Sequence, residues 1–435
     1  MPMLLGNIQN LKRNMKKAIV IGSGAGGAMA AKMLAQDFEV TVLEEGKAFH
    51  PFSWSLDKLA KFRKSGLYFD ERLIQLLLPN MRIEKTPEMV MVYGKGLGGT
   101  TTLATGNAVR ADEGLKKIGI HLDEEFDELY RELPITTEHQ RYWSFITKKT
   151  FNVMDEMGMA PEPMPKLLHP KGCALCGHCS IGCPTRAKWD TRELLEGMKV
   201  ITGCKVTQIE IGDRLAKRVH ARKGMCHLTF EADVIIVAAG GMGTPDILRN
   251  SGIDCLPTLF VDPVLCVAAP MPGVKQNRQL LMPFVCRREK YILSPYMDWL
   301  SFFFHSSWCH PMEGIASIMI KLADVEQGDV HGKKMQKTLT ETDHRYLKNG
   351  VEDCREILLR MGASEKEIFL GTINAGHPGG MLPLTSAEAR TLHSSKLPEN
   401  LYVADATILP QSLGLPPMLT IMALAKRIAK IVRTV

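Results

Sequence analysis

The feature that most constrains the fold of this chain is a strand, a glycine turn and a helix in immediate succession near its start. Lys17 to Ile21 (KAIVI) is a short, β-branched apolar run, the pattern of a buried parallel strand. It ends at Gly22-Ser23-Gly24-Ala25-Gly26-Gly27, a G-x-G-x-x-G turn, and a helix is expected over about Ala25–Gln36. A second strand over Glu39–Leu43 stops at Glu44, which lies 22 positions after Gly22. That is close to the spacing at which an acid meets a ribose hydroxyl in dinucleotide sites. Glycine lets the backbone approach a pyrophosphate, and the helix N-terminus supplies amide donors and partial positive charge.

Two later segments return to the same layer. Ala232 to Gly241 (ADVIIVAAGG) reads as another buried strand with a glycine turn, and Leu401-Tyr402-Val403-Ala404-Asp405 as a last one before a helix over Leu419–Val432. The second contact offered near Asp405, and Glu44 without an adjacent arginine, favour FAD over NAD or NADP. Residues 50–92 are expected to be an amphipathic helical excursion, 111–160 mixed helix, and Ala187–Gly197 a helix. Short alternating segments from Met198 to Ala232 predict an antiparallel meander, and the aromatic run Trp299–Phe304 a strand. The domain expectation is a first part of the FAD domain over 15–110, a helical excursion over 111–170 and a cysteine loop over 171–185. A second part with the meander follows over 186–264, then a substrate or cap domain over 265–370 and a third part over 371–435.

Cys173, Cys176, Cys179 and Cys183 form C-x2-C-x2-C-x3-C followed by Pro184, the spacing of ferredoxin-type iron–sulfur ligands. Zinc also accepts four thiolates, but usually from two separated pairs. The run therefore points to a 4Fe–4S cluster, with either Cys183 or a distant cysteine closing it. An organic two-electron cofactor and an inorganic one-electron centre on one chain imply an electron path to a protein or quinone acceptor. The other seven cysteines are scattered and read mostly as buried small hydrophobes, in a reducing compartment.

Net charge is +7 from 54 basic and 47 acidic residues, without a basic block, so nucleic acid is not indicated. No apolar stretch reaches the roughly 18 residues of a membrane helix, though peripheral membrane contact is compatible. The first fourteen residues are too polar for a secretory signal, Met15 is a candidate start, and a cytoplasmic location is expected.

Taken together, the motifs resemble the glucose–methanol–choline (GMC) oxidoreductases. The resemblance is carried by the N-terminal fingerprint, the loop Gly94-Lys95-Gly96-Leu97-Gly98-Gly99-Thr100-Thr101-Thr102 and the run Gly241–Gly252 (GMGTPDILRNSG). Gly376-His377-Pro378-Gly379-Gly380 and the ending LYVADATILPQSLGLPPMLTIMALAKRIA complete it. A branch with a ferredoxin-like cysteine run looks most similar. The resemblance implies an α/β fold, with a split Rossmann-like FAD-binding domain of the glutathione-reductase type and an antiparallel-sheet substrate domain. It implies FAD contacts at Gly22, Gly24, Gly27, Glu44, Gly98, Gly99, Thr100 and Asp405, and a catalytic histidine at His377. The family usually places a second His or Asn just before a proline ahead of the C-terminal helix; this chain has Pro416 there, followed by Pro417.

The expected activity is oxidation of a small-molecule CH–OH group, or reduction of the carbonyl, with His377 as base or acid. A flavin reductase of a C=C bond and a non-catalytic electron-transfer subunit are the alternatives. A pocket beside His377 separates an enzyme from a relay.

Overall fold

The strand Lys16–Ile21 lies at the centre of a five-stranded sheet, flanked by Val234–Val237 on one side and Phe38–Glu44 on the other. The outer strands are Leu401–Val403 and Lys199–Thr202, and every pairing is parallel. The computed structural model describes residues 15–51, 78–331 and 334–434. The apolar strands need cover on both faces. The helix Ala25–Leu34 supplies part of it and packs against the C-terminal helix Met418–Thr434. Ile19, Val20, Val42, Ile235 and Ile236, with Leu419 and Ile428 of that helix, belong to the same core.

A three-stranded antiparallel meander follows, Cys204–Ile211, Ala216–Lys223 and Cys226–Phe230. The expected first strand of that meander, around 199–202, instead extends the parallel sheet beside Phe38–Glu44. Its four residues pair in parallel register with Thr41–Glu44, and a turn at Gly203, in the left-handed region at φ 67°, leads from it into the meander.

The second layer is a large sheet built on Val264–Pro270, Ile315–Leu322, Tyr291–Pro295 and Phe284–Arg287 in antiparallel pairing. It is not confined to 265–370. Met81–Lys85 and Val90–Gly94 form a hairpin that joins it, and Asn374–Ala375 pairs parallel with the second of these strands, so the sheet is mixed rather than purely antiparallel. Glu162–Pro163 adds at the other edge. The helical expectation for 50–92 therefore fails over 81–92, where Met81 and Ile83 alternate inward; residues 52–77 lie outside the described residues. The long helix Glu341–Arg360, opened by a capping box at Thr340 and Asp343, packs on this sheet.

Two further expectations are corrected. Trp299–Phe304 is a helix, because Asp298 caps it by accepting the Ser301 N–H at 3.1 Å. Trp299, Phe302 and Phe303 are then buried at i, i+3 and i+4, a spacing that a short, mostly apolar run hides. The helix expected over Ala187–Gly197 shrinks to one 3-10 turn, Thr191–Leu195. Its first residues are drawn into pairing, with Trp189 N–H donating to Leu167 O at 3.1 Å and His169 N–H to Ala187 O at 2.8 Å.

Candidate active site

The two sheets meet over a cavity of about 910 Å³. Its walls run from the glycine turn (Gly22, Ser23, Gly24, Ala25, Gly26) past Glu44 and Glu45, along Gly99 and Thr100, to Gly376, His377, Asp405 and Pro416. The helix Ala25–Leu34 begins at Gly24 with no side-chain cap and no acid in its first turn, so its leading amides are left for a ligand. The size, the anion-binding turn and the ribose-side acid fit a dinucleotide.

Glu44 is held before any ligand arrives. Its carboxylate accepts from Ser23 N at 3.1 Å, Ser23 Oγ at 2.6 Å and Gly46 N at 2.7 Å. Burial pushes its carboxyl up despite these bonds. Asp405 accepts from Gly240 N at 2.8 Å, Thr244 Oγ1 at 2.5 Å and Thr407 N at 2.9 Å, and burial raises it too. It ties the starts of two helical turns to the cavity wall.

Two of the expected cofactor contacts do not line the cavity. Gly27 is a packing position, where a Cβ would come within 2.1 Å of Gly22 O. Gly98 is a left-handed corner at φ 91°, and its N–H donates to Ser23 Oγ at 3.0 Å. Sequence reasoning overlooked Ser23, which bridges the glycine turn, Glu44 and the 94–102 loop; its place inside the fingerprint was the available signal.

His377 borders the cavity with 28 % of its side chain accessible, although it lies deep in the protein. Its Nδ1 faces Asp262 Oδ2 at 3.5 Å, and burial lowers its pKa below the usual histidine value. A base that is neutral near pH 7, on the wall of a cofactor-sized cavity, is equipped to take a proton. Pro416 and Pro417 also line the cavity, so the position of the second family side chain carries no hydrogen-bonding group. The wall also carries the apolar Val264, Met282, Trp299, Leu300, Phe303 and Met319, together with the polar Asp298, Lys321 and Asn374.

Cys173, Cys176, Cys179 and Cys183 line one small cavity together with Lys188, Gln279 and Leu280. Among the described residues no group of three or more His, Cys, Asp or Glu side chains is arranged closely enough to hold a metal ion. Lining one cavity is a looser condition than converging on one point, so the two observations stand together. The same loop reaches the large cavity, since Ser180 and Ile181 are part of its wall. Of the remaining cysteines, Cys226 and Cys309 are exposed, against the expectation for small hydrophobes, while Cys204, Cys266, Cys286 and Cys354 are buried.

A parallel dinucleotide sheet, a second sheet closing over its ligand edge and a histidine in the shared cavity define a flavin-dependent oxidoreductase. Residues 17–257 match the family model described as GMC oxidoreductase, and the chain belongs to that family. It is similar to an uncharacterised protein of Methanocaldococcus jannaschii, with 26 % identity over 94 % of this chain and 98 % of the relative. A long-chain-alcohol oxidase of Arabidopsis thaliana is 23 % identical over 96 % of this chain and 67 % of its own length. The fold matches the crystal structure of pyridoxine 4-oxidase from Mesorbium loti with a TM-score of 0.68, at 15 % identity, over 95 % of this chain and 98 % of that one. The chain is thus a GMC-type FAD oxidoreductase acting on a small molecule. Among the described residues no helix is long and apolar enough to cross a membrane.

Proposed function

We infer that the protein oxidises a CH–OH group, or reduces the corresponding carbonyl, in the cavity beside His377. The observation that carries this is the position of His377, half-buried, with its pKa lowered by desolvation, and on the same cavity wall as the glycine turn, Glu44 and Asp405. FAD, when bound, supplies two-electron acceptance of a hydride. Gly22, Gly24, Glu44, Gly99, Thr100 and Asp405 would hold it, and His377 takes the hydroxyl proton at the nitrogen turned away from Asp262. The apolar wall favours an alcohol with a hydrocarbon body, in keeping with the name of the plant relative. His377→Ala is expected to abolish bleaching of the flavin by alcohol under anaerobic conditions while leaving reduction by dithionite intact. Bleaching at the wild-type rate would remove His377 as the base.

The cysteine run is read as the ligand set of a 4Fe–4S cluster, which would supply one-electron transfer to a protein or quinone. Beyond the spacing, charge supports this reading. Lys166 and Lys188 are buried beneath the loop, and the Nζ of each meets only neutral oxygens. Lys166 donates to Thr105 O, Asn107 Oδ1 and Leu281 O, and Lys188 to Thr101 O, Thr102 O and Ala104 O. Among the described residues neither ammonium has a carboxylate within ion-pair distance. Burial lowers both amines, Lys166 to about 7, and negative charge on the neighbouring cysteines opposes that loss of charge; four thiolates around a metal centre would supply it. The amides of Leu175 and His178 also point at the sulfurs of Cys173 and Cys176, two residues back. Zinc would satisfy the same charge, so metal analysis decides: about four irons with sulfide per chain are expected. Zinc in place of iron would leave the flavin without this outlet.

A further inference from the structure

Three ionisable groups meet at the cavity wall, His377 and Lys321 on it and Asp262 behind them. Asp262 is 1 % exposed and sits in the left-handed region at φ 52°, uncommon for a residue other than glycine. Its Oδ2 lies 2.5 Å from Lys321 Nζ and 3.5 Å from His377 Nδ1. Its Oδ1 accepts from the Ser412 hydroxyl and from Gly414 N at 3.4 Å. Lys321, itself part of the cavity wall, also donates to Leu415 O at 3.2 Å. Ser412, Gly414 and Leu415 run directly into Pro416 and Pro417, so the segment that lacks the family's second side chain is the one tied to this ion pair. Behind Asp262 stands a second buried pair, Asp324 and Lys337 at 2.8 Å, and Asp324 Oδ1 accepts the Asp262 N–H at 2.7 Å.

We propose that Asp262 positions His377 and that Lys321 donates to the substrate oxygen, together taking the role that Pro416 leaves open. This rests on the reading of His377 as the base. A buried ion pair contributes little net stability, and apolar residues of similar volume often do as well. Its presence at a cavity wall therefore calls for a functional reason. His377 Nδ1 has no hydrogen bond of ordinary geometry, and Asp262 is the carboxylate that faces it. That carboxylate draws the imidazole N–H to Nδ1 and leaves the Nε2 lone pair free for a proton. The charged groups acting on His377 are Asp262, which favours its protonation, and Lys321, which opposes it. An ammonium has three N–H donors; two are engaged, by Asp262 and Leu415, and one remains. In the oxidation the O–H bond breaks and its proton goes to Nε2. The C–H electron pair leaves as hydride to the FAD that the enzyme class supplies, and the C=O bond forms. Lys321 keeps its proton throughout and stabilises the negative charge on oxygen as the O–H bond breaks.

The test uses holoenzyme labelled with 15N-histidine, the His377 signals being assigned by their loss in His377→Gln. The wild type is expected to show a protonated Nδ1 and an unprotonated Nε2 at neutral pH. Lys321→Met should raise the His377 pKa, and Asp262→Asn should lower it and release the tautomer preference. The double variant Asp262→Asn/Lys321→Met leaves no buried charge unpaired, so it guards against simple misfolding; it too should lose the tautomer preference. For the donor role the probe is octanoate, read by the perturbed flavin absorbance. Its Kd should rise about tenfold or more in Lys321→Met, as for loss of a charge-assisted bond, and change little in His377→Gln. Identical 15N signals in the wild type and the double variant would overturn the positioning role. Octanoate bound equally by the wild type and Lys321→Met, or not bound by the wild type at all, would overturn the donor role. Persistent alcohol-driven bleaching in His377→Gln defeats the base assignment instead, whatever the octanoate result.

Discussion

Replacing Gly26 by alanine should damage both the fold and cofactor binding, whereas the same change at Gly24 should damage only binding. A Cβ at Gly26 would stand 1.6 Å from Ala404 O, where contacts under 3.0 Å essentially never occur. The start of the helix Ala25–Leu34 must then retreat from the last parallel strand by about 1.4 Å. Overpacking of this kind costs about 1–3 kcal/mol. For a chain of 435 residues that corresponds to a Tm lowered by about 1–3 °C in the apoprotein. The same retreat carries the leading amides away from the pyrophosphate position. Loss of one charge-assisted hydrogen bond, about 1.5–3 kcal/mol, weakens FAD binding by about 10- to 100-fold. At Gly24 the backbone has φ −71° and nothing lies within 4 Å of an added Cβ. Gly24→Ala should therefore leave apoprotein stability within about 0.5 kcal/mol, while its methyl group crowds the cavity and lowers FAD affinity. Thermal scans of both apoproteins, paired with FAD titrations followed by flavin fluorescence, measure the two effects separately. An unchanged Tm for Gly26→Ala, or equal losses of apoprotein stability at the two sites, would refute the reasoning.

The buried His139 should make the protein sensitive to acid. Its Nδ1 accepts from Trp143 Nε1 at 3.1 Å and its Nε2 meets Met164 O at 2.8 Å, an arrangement suited to the neutral ring, and burial lowers its pKa to about 4. A depressed folded-state value means stability fully present above pH ~6.5 and lost as pH falls toward 4, about 3 kcal/mol in all. Urea denaturation across that range should show the loss, and His139→Gln should flatten it. Phe260, 1 % exposed, packs its ring against Gly379 and Gly380 just after His377. Phe260→Ala should cost about 3–5 kcal/mol by chemical denaturation, with a rise in KM as the histidine turn loosens; an unchanged KM would separate that turn from its support. Lys166→Met should stabilise the metal-free protein in denaturant titrations but retain less iron after desalting, the opposite signs expected if its buried charge answers a metal–thiolate centre.

The dinucleotide half was legible because its signals are local. A β-branched run ending at Gly22, a glycine turn and an acid at Glu44 report on backbone conformation within a few tens of residues, and the strands near 236 and 403 share that composition. The aromatic run Trp299–Phe304 was misread because, over six residues of which five are apolar, helix and strand periodicities are indistinguishable; the Asp298 cap decides between them. The strand at 199–202 was assigned to the wrong sheet for a different reason. Its residues suit any pleated, half-buried position, and only the parallel partner at Thr41–Glu44 fixes where it goes.

By itself, the sequence determined the chemistry available: a pyrophosphate-binding turn, four closely spaced thiols, and a histidine among glycines with proline where a hydrogen-bonding partner is usual. Only the tertiary structure decided which groups act together. Asp262, Lys321 and His377 are separated by more than fifty residues at each step, yet share one carboxylate oxygen. Nothing along the chain marks Lys166 and Lys188 as interior, and folding removes both from water. Spacing along a chain sets local conformation, whereas the energy of a charge depends on its surroundings, and those exist only after the sheets have closed over the cavity.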